Sequence, residues 1–291
     1  MYKIKLNKCI ITKENEFNLK RLFKTYQFDQ VQAYELGWSF TGNPLMTVYC
    51  YVFDDIMIDT ALPHMQKETL SIVSDHIIRR VYLTHYHEDH SGNASAIKKY
   101  YKTDVYGHKI TIEKMMTPFN IRPYQKYVWG KSKPVKIKQI PQKIETIFGD
   151  MIPIHTPGHS KDHLSYLLKN KGILFSGDLY LGDRIKFFRS DENIAEQINS
   201  LKKILKFDFQ TLLCSHSPKQ KNGKKHINKK LDFLENLYGN IILHWKKGLN
   251  EKEIFSLLKL KEHNFVKMIS FGNVSMINGV RSAIKHYVKN Y

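Results

Sequence analysis

The sequence predicts an α/β domain over residues 1–220 followed by a small helical domain over residues 221–291. Three observations carry this prediction. Short apolar, strand-like runs alternate with helix-like stretches through the first part of the chain. The main clusters of His and Asp follow directly on several of those runs. Beyond Lys219 the apolar residues recur at three- and four-residue steps, the period of a helix.

The elements follow in order. Residues 1–45 are mixed and give no clear period. Met46 to Phe53 is rich in β-branched and aromatic residues and reads as a strand. Asp54-Asp55 makes a turn, and Ile56 to Asp59 is the returning strand of a hairpin. A helix is expected over 65–77, with Leu70, Ile72, Val73 and Ile77 on its apolar side. Val81-Tyr82-Leu83 is a short buried strand, Ala94 to Tyr101 a helix and Val105-Tyr106 the next strand. Residues 113–140 lack a clean period. Further strands are expected at 151–154, 164–168, 173–176 and 211–214, with an amphipathic helix from Ile194 to Leu205.

The stretch Lys219 to Lys225 is polar and contains Gly223, a suitable place for a boundary. Ile227, Leu231, Leu234, Leu237, Ile241 and Trp245 then mark a long helix ended by Gly248. Asn250 with Glu253 three residues on predicts a capped start for a helix to Leu260. Ser275 is expected to cap a last one, Met276 to Val288.

Composition excludes several classes. Hydrophobic residues make up 42% of the chain, which suits a folded protein and not a disordered one. No run approaches a membrane-spanning length, and the start of the chain lacks the apolar core of a secretory signal. A cytoplasmic location is the expectation. The three cysteines, Cys9, Cys50 and Cys214, form no CxxC pair, so neither a disulfide framework nor a thiolate zinc site is indicated. The net charge of +19 has two readings. A basic surface steers anionic partners, RNA among them. The excess of Lys over Arg, with abundant Ile, Asn and Tyr, also fits plain compositional bias, and the charge forms no single basic tail.

The chemistry concentrates in His85-Tyr86-His87-Glu88-Asp89-His90, where His85, His87, Asp89 and His90 are four potential metal ligands in six residues. On a loop leaving a strand, His85 and His87 can serve one ion while Asp89 and His90 turn toward a second. His and carboxylate suit zinc, and also iron or manganese. One loop cannot close two sites, so further ligands must come from elsewhere. Later strand ends offer them: His159 in Thr156-Pro157-Gly158-His159, Asp178 after Ser176-Gly177, and His216 after Cys214-Ser215.

The order Asp59, His85-x-His87-x-Asp89-His90, His159, Asp178, His216 resembles the metallo-β-lactamase superfamily in its dinuclear hydrolase form. The resemblance covers roughly residues 45–220, and the HxHxDH element is highly specific. It implies an αββα sandwich with the site at one edge of the paired sheets. It implies that His85, His87 and His159 bind a first metal, that Asp89, His90 and His216 bind a second, and that Asp178 bridges them, two zinc ions being the default. It makes Asp89 the candidate proton acceptor and Asp59 a residue that orients a ligand histidine. Two departures stand out: Asp59-Thr60-Ala61 has Ala where many members have Gly, and Ser215-His216-Ser217 replaces the common Gly-His-Gly.

Substrate is less sharply marked. Met115 to Lys133, aromatic and basic, has the length of a binding loop, and Arg184, Lys186 and Arg189 follow Asp178 closely enough to meet an anionic group. His163 stands four residues after His159, with a role as substrate contact, ligand support or plain structure left open. The C-terminal helices resemble the winged-helix-like tails of a hydrolase subgroup. The leading expectation is a small-molecule hydrolase acting on a thioester, ester or lactone, with an anionic substrate. The alternatives are an endoribonuclease cleaving single-stranded RNA and a metal-bound binding or regulatory protein with little turnover. The tail is read as an RNA contact, a wall of the acyl pocket or a homodimer face.

Overall fold

The computed structural model describes residues 20–117 and 120–290; Cys9 and Phe119 lie outside the described residues. The chain divides into two compact units, Met1–Pro153 and Ile154–Tyr291.

The first unit is built on a seven-stranded sheet. Its strands are β1 (Lys20–Phe28), β2 (Val31–Ser39), β3 (Val48–Phe53), β4 (Ile56–Ile58), β5 (Arg80–Tyr82), β6 (Asp104–Gly107) and β7 (Lys138–Gln139), neighbours in that order. The first four pair antiparallel and the last four parallel. The parallel half demands crossovers. Helices α1 (Gln66–Asp75) and α3 (Ala94–Tyr101) supply them, with the four-residue α2 (Glu88–Ser91) between; α4 (Lys109–Met116) and α5 (Pro123–Val128) follow β6. The core gathers Leu36, Val48, Val52, Met57, Ile72, Val73, Val81, Leu83, Ile97 and Val105. Strand β8 (Ile144–Thr146) pairs antiparallel with β9 (Gly149–His155), and the boundary between the units falls within β9.

In the second unit β10 (Leu164–Leu168) pairs antiparallel with β11 (Ile173–Gly177), and β11 pairs parallel with β13 (Thr211–Cys214). A small ribbon joins β12 (Phe188–Arg189) to β14 (Val274–Ser275). Helices α6 (Ile194–Ile204), α7 (Gly223–Trp245), α8 (Glu251–Leu257), α9 (Asn264–Ile269) and α10 (Ile277–Asn290) complete the unit, with α6, α7 and α10 packed together. None of the described helices is long and apolar enough to cross a membrane.

The expected capping box is present at α8. Asn250 Oδ1 accepts from the backbone of Lys252 and Glu253, and Glu253 Oε2 accepts from Asn250 N at 2.7 Å. Three expectations change. The unreadable stretch before residue 45 contains the β1–β2 hairpin. Ile77, expected on the apolar side of α1, is 78% exposed because the helix stops at Asp75. Ser275 does not cap α10 through its side chain; its hydroxyl donates to Glu262 Oε2 at 2.6 Å from within β14.

Candidate metal-ligand residues

In the first unit the parallel register sets the site. Ile58 at the end of β4 lies beside Tyr82 of β5, so the chain leaves both strands side by side at Asp59 and at Leu83-Thr84. Asp59 N donates to Tyr82 O at 3.0 Å. The Asp59 carboxylate is buried and collects Thr84 N on Oδ1 (2.7 Å) and Thr84 Oγ1–H on Oδ2 (2.8 Å).

These contacts decide the histidine tautomers. His90 Nδ1 lies 2.8 Å from Asp59 Oδ2, a carboxylate that only accepts, so Nδ1 carries the proton and Nε2 the lone pair. Thr84 spends its single hydroxyl proton on Asp59. Its oxygen therefore accepts from His85 Nδ1–H at 3.0 Å, and His85 Nε2 carries the lone pair. That nitrogen faces His87 Nδ1 at 2.8 Å. Asp89 Oδ2 lies 3.6 Å from His90 Nε2. All four residues are buried. Two pairs of donor atoms thus stand on one loop: His85 Nε2 with His87 Nδ1, and Asp89 Oδ2 with His90 Nε2. α2 holds the loop tightly, since a Cβ at Gly92 would overlap the carbonyls of Glu88 and Ala61. Ala61 itself has a positive φ of 53°, a conformation that favours glycine.

In the second unit Asp178 follows β11 and His216 follows β13, and the parallel pairing of those strands brings the two loops together: Ser215 N donates to Gly177 O at 3.3 Å. Asp178 Oδ1 lies 3.4 Å from His216 Nε2, and Asp178 Oδ2 lies 3.3 Å from His159 Nε2. One carboxylate therefore presents each oxygen to a different imidazole. His159 and Asp178 are buried, and the His216 side chain is 9% exposed.

Several residues that the sequence did not mark as functional support these ligands. Glu192 Oε1 lies 3.1 Å from His159 Nδ1, which assigns the proton to Nδ1 and the lone pair to Nε2. Gln197 Nε2–H donates to Glu192 Oε2 at 2.8 Å. His163, left open above, holds the backbone of the candidate ligand Asp178. Its Nε2 accepts from Asp178 N at 3.0 Å, and its Nδ1–H donates to Thr156 Oγ1 at 2.9 Å. In the first unit Gln125 on α5 reaches Glu88 Oε2 at 3.2 Å, tying the aromatic 115–133 segment to the ligand loop.

Other candidates are resolved by their surroundings. Cys214 is fully buried, and burial pushes its thiol up to about 11, so it stays protonated and inert as a nucleophile. Arg184 and Lys186 are exposed, whereas Arg189 is engaged by Asp191 at 3.2 Å. A polar knot lies beyond Asp178. Tyr180 Oη–H donates to Asp183 Oδ1 at 2.7 Å, His226 Nδ1 meets the same oxygen at 2.8 Å, and Lys229 Nζ reaches Oδ2 at 3.2 Å. Burial alone would raise the Asp183 carboxyl; these hydrogen bonds outweigh it and hold the group down at about 2.

The donor chemistry fits divalent metal. Neutral imidazoles with assigned lone pairs, two ionisable carboxylates and no thiolate are the ligand types of His- and Asp-bound zinc, iron or manganese. Carboxylates and a threonine hydroxyl behind the imidazoles fix ring orientation in the way metal-bound histidines need.

Comparison with known proteins agrees. The family model of the metallo-beta-lactamase superfamily matches residues 44–216. A beta-lactamase-like protein 2 homolog of Drosophila melanogaster is 33% identical over 156 residues, 52% of this chain and 47% of that protein. A hydroxyacylglutathione hydrolase of Bartonella henselae is 27% identical over 149 residues, 50% of this chain and 51% of that protein. The chain thus spans about half the length of the curated relatives it matches. Among solved structures, a metallo beta lactamase from Erythrobacter litoralis superposes with a TM-score of 0.55 at 19% identity, covering 78% of this chain and all of that one. The metallo-beta-lactamase FIM-1 from Pseudomonas aeruginosa, in a mono-zinc form, gives 0.55 at 18% identity over 74% of this chain and 95% of that one. With its ligand types, strand-end placement and family match in agreement, the chain belongs to the metallo-β-lactamase superfamily.

Proposed function

We propose that this protein is a metal-dependent hydrolase of small thioesters, with esters and lactones as the neighbouring substrate classes. The observation that carries the reading is the buried donor set with its histidine lone pairs fixed by Asp59, Thr84 and Glu192. Relatives named hydroxyacylglutathione hydrolase and atrochrysone carboxyl ACP thioesterase support the substrate class. In this reading His85, His87 and His159 would hold a first ion and Asp89, His90 and His216 a second, with Asp178 a ligand common to both, as the family pattern implies. Divalent ions held there, zinc by default, would supply Lewis-acid activation of water and of the scissile carbonyl. The chain's own groups do the rest. Asp89 takes and relays a proton, Asp59 and Glu192 keep the imidazoles oriented, and burial excludes bulk water from the ligand loop. The net charge of +19 favours an anionic thioester by steering. We further propose that the family fold ends near residue 220, just past the family match, and that the helices from α7 onward are an addition to it.

The test is metal analysis of the purified protein, followed by turnover of an S-acyl thioester, an ester, a lactone and single-stranded RNA, with Asp89→Ala as control. Thioester cleavage lost in the variant upholds the proposal. Cleavage of RNA alone transfers it to an endoribonuclease. A filled site that turns over nothing leaves a metal-bound binding protein, and a protein that takes up no metal removes the reading altogether.

A further inference from the structure

α7 turns one face toward the loop that follows Asp178. That loop joins β11 to β12 without a helix or strand of its own, so its shape depends on what it is tied to. His226 is followed by Lys229 and Lys230 at three and four residues, so all three share one side of α7. Each reaches the loop. Lys230 Nζ donates to Leu179 O at 2.6 Å, His226 Nδ1 meets Asp183 Oδ1 at 2.8 Å, and Lys229 Nζ reaches Asp183 Oδ2 at 3.2 Å. Tyr180 Oη–H closes the same knot, donating to Asp183 Oδ1 at 2.7 Å. The Lys230 contact is the firmest. Its side chain is at 0% exposure, so an ammonium that let go of Leu179 would have no water to turn to. α7 is a steady base for these anchors, since Ile227, Leu234 and Ile241 are fully buried along it. On the other side, Asp178 N donates to His163 Nε2 at 3.0 Å. Asp178 therefore sits between two fixed points of backbone, its own N–H and the carbonyl of the next residue.

We infer that His226, Lys229 and Lys230 are positioning residues that splint the Asp178 loop, which makes α7 a working part of the candidate metal site and not only an appendage to the fold. The inference rests on the reading of Asp178 as a metal ligand. A carboxylate that is already held in place loses little freedom when an ion binds, so the splint raises affinity without touching the ion. A helix that only added stability would act on the whole unit alike and would leave no particular mark on this loop.

The experiment pairs two readings on the full chain, for wild type, Lys230→Met, Asp183→Ala and Leu234→Val. The first is amide hydrogen exchange in the zinc-free protein at Asp178 and Leu179, whose N–H groups donate to His163 Nε2 and Ser176 O, taken relative to the amides of β10 and β11. The second is zinc affinity by chelator competition. Leu234→Val is the control, since it trims the apolar stripe of α7 one turn beyond Lys230 and removes no anchor. Lys230→Met and Asp183→Ala are expected to speed the two loop amides about tenfold over the sheet amides, a local opening. They are expected to weaken zinc binding roughly 10- to 100-fold, the scale for groups that support a metal ligand. Leu234→Val should lower the melting temperature, speed loop and sheet together, and keep wild-type zinc affinity. Unchanged relative exchange in the two anchor variants overturns the inference. So does faster exchange with wild-type zinc affinity, or an equal loss of affinity in Leu234→Val. If Lys230→Met does not fold, Asp183→Ala, at a partly exposed position, decides alone. If the wild type binds no zinc, the metal-site reading fails, while the exchange data still decide whether α7 holds the loop.

Discussion

Asp59→Asn exchanges one carboxylate oxygen for NH2 and should disable two candidate ligands, His90 and His85. The Asp59 carboxylate accepts from His90 Nδ1–H at 2.8 Å, from Thr84 Oγ1–H at 2.8 Å and from Thr84 N–H at 2.7 Å. Through Thr84 it also governs His85, whose Nδ1–H the threonine oxygen accepts at 3.0 Å. In the variant, the carboxamide oxygen keeps the Thr84 backbone bond and its NH2 group faces His90 and Thr84 Oγ1. His90 must then turn Nδ1 into an acceptor and move its proton to Nε2, the atom needed for metal. Thr84 Oγ1 must accept from the amide, and its own proton then points toward His85 Nδ1. A lost hydrogen bond to a buried charged acceptor is worth about 1.5–3 kcal/mol. At about 1.4 kcal/mol per tenfold that is about 10- to 150-fold in metal affinity, which agrees with the roughly 10- to 100-fold cost of losing groups that orient metal-bound histidines. The assay is zinc binding by chelator competition, paired with nitrogen-15 NMR of the imidazoles in the zinc-free protein. The expected result is weakened binding together with Nε2–H on His90. Wild-type affinity, or His90 still protonated on Nδ1, would refute the reasoning.

Three further outcomes are expected. In Glu192→Gln the amide oxygen keeps the Gln197 Nε2–H bond and the NH2 group faces His159 Nδ1 in place of an acceptor, which should weaken zinc binding by about tenfold in the same competition assay. Gly158→Ala puts a side chain at a φ of 128°, where its Cβ would overlap the backbone nitrogen of Gln197. Strain of this kind costs about 1–3 kcal/mol, read as a lower melting temperature together with weaker metal binding through displaced His159. Asp183, held down at about 2 from the usual 3.8, adds stability that is fully present above pH 3.8 and is lost as pH falls toward 2. Asp183→Asn should therefore flatten the decline in melting temperature across that acid window, and an unchanged acid profile would show that the knot around Asp183 contributes nothing.

What the chain showed in advance divides along a physical line. Features carried by neighbours in sequence were readable. The strands β3 to β6, the helix Ala94–Tyr101, the capping box at Asn250 and the dense His85-to-His90 loop are all fixed by local period, turn chemistry or spacing. Features made by distant pairing were not. The β1–β2 hairpin presents a half-buried strand with charges at Lys20, Arg21 and Lys24, and only its pairing with β2 along nine residues gives it an identity. Glu192 reaches His159 because Asn193 N docks on Gly158 O at 2.8 Å, a contact that nothing in the local sequence announces. His163 follows the same rule: its partner is a backbone amide fifteen residues away. Lys230 draws on both. Ile227, Leu231 and Leu234 define the apolar stripe of α7, and position 230, three after the first and four before the last, lies on that stripe. A lysine there breaks the amphipathic pattern. Its ammonium is satisfied by the carbonyl of Leu179 at 2.6 Å, an acceptor 51 residues away that no neighbour in sequence announces, so the break in the stripe is explained by distant pairing and not by local period.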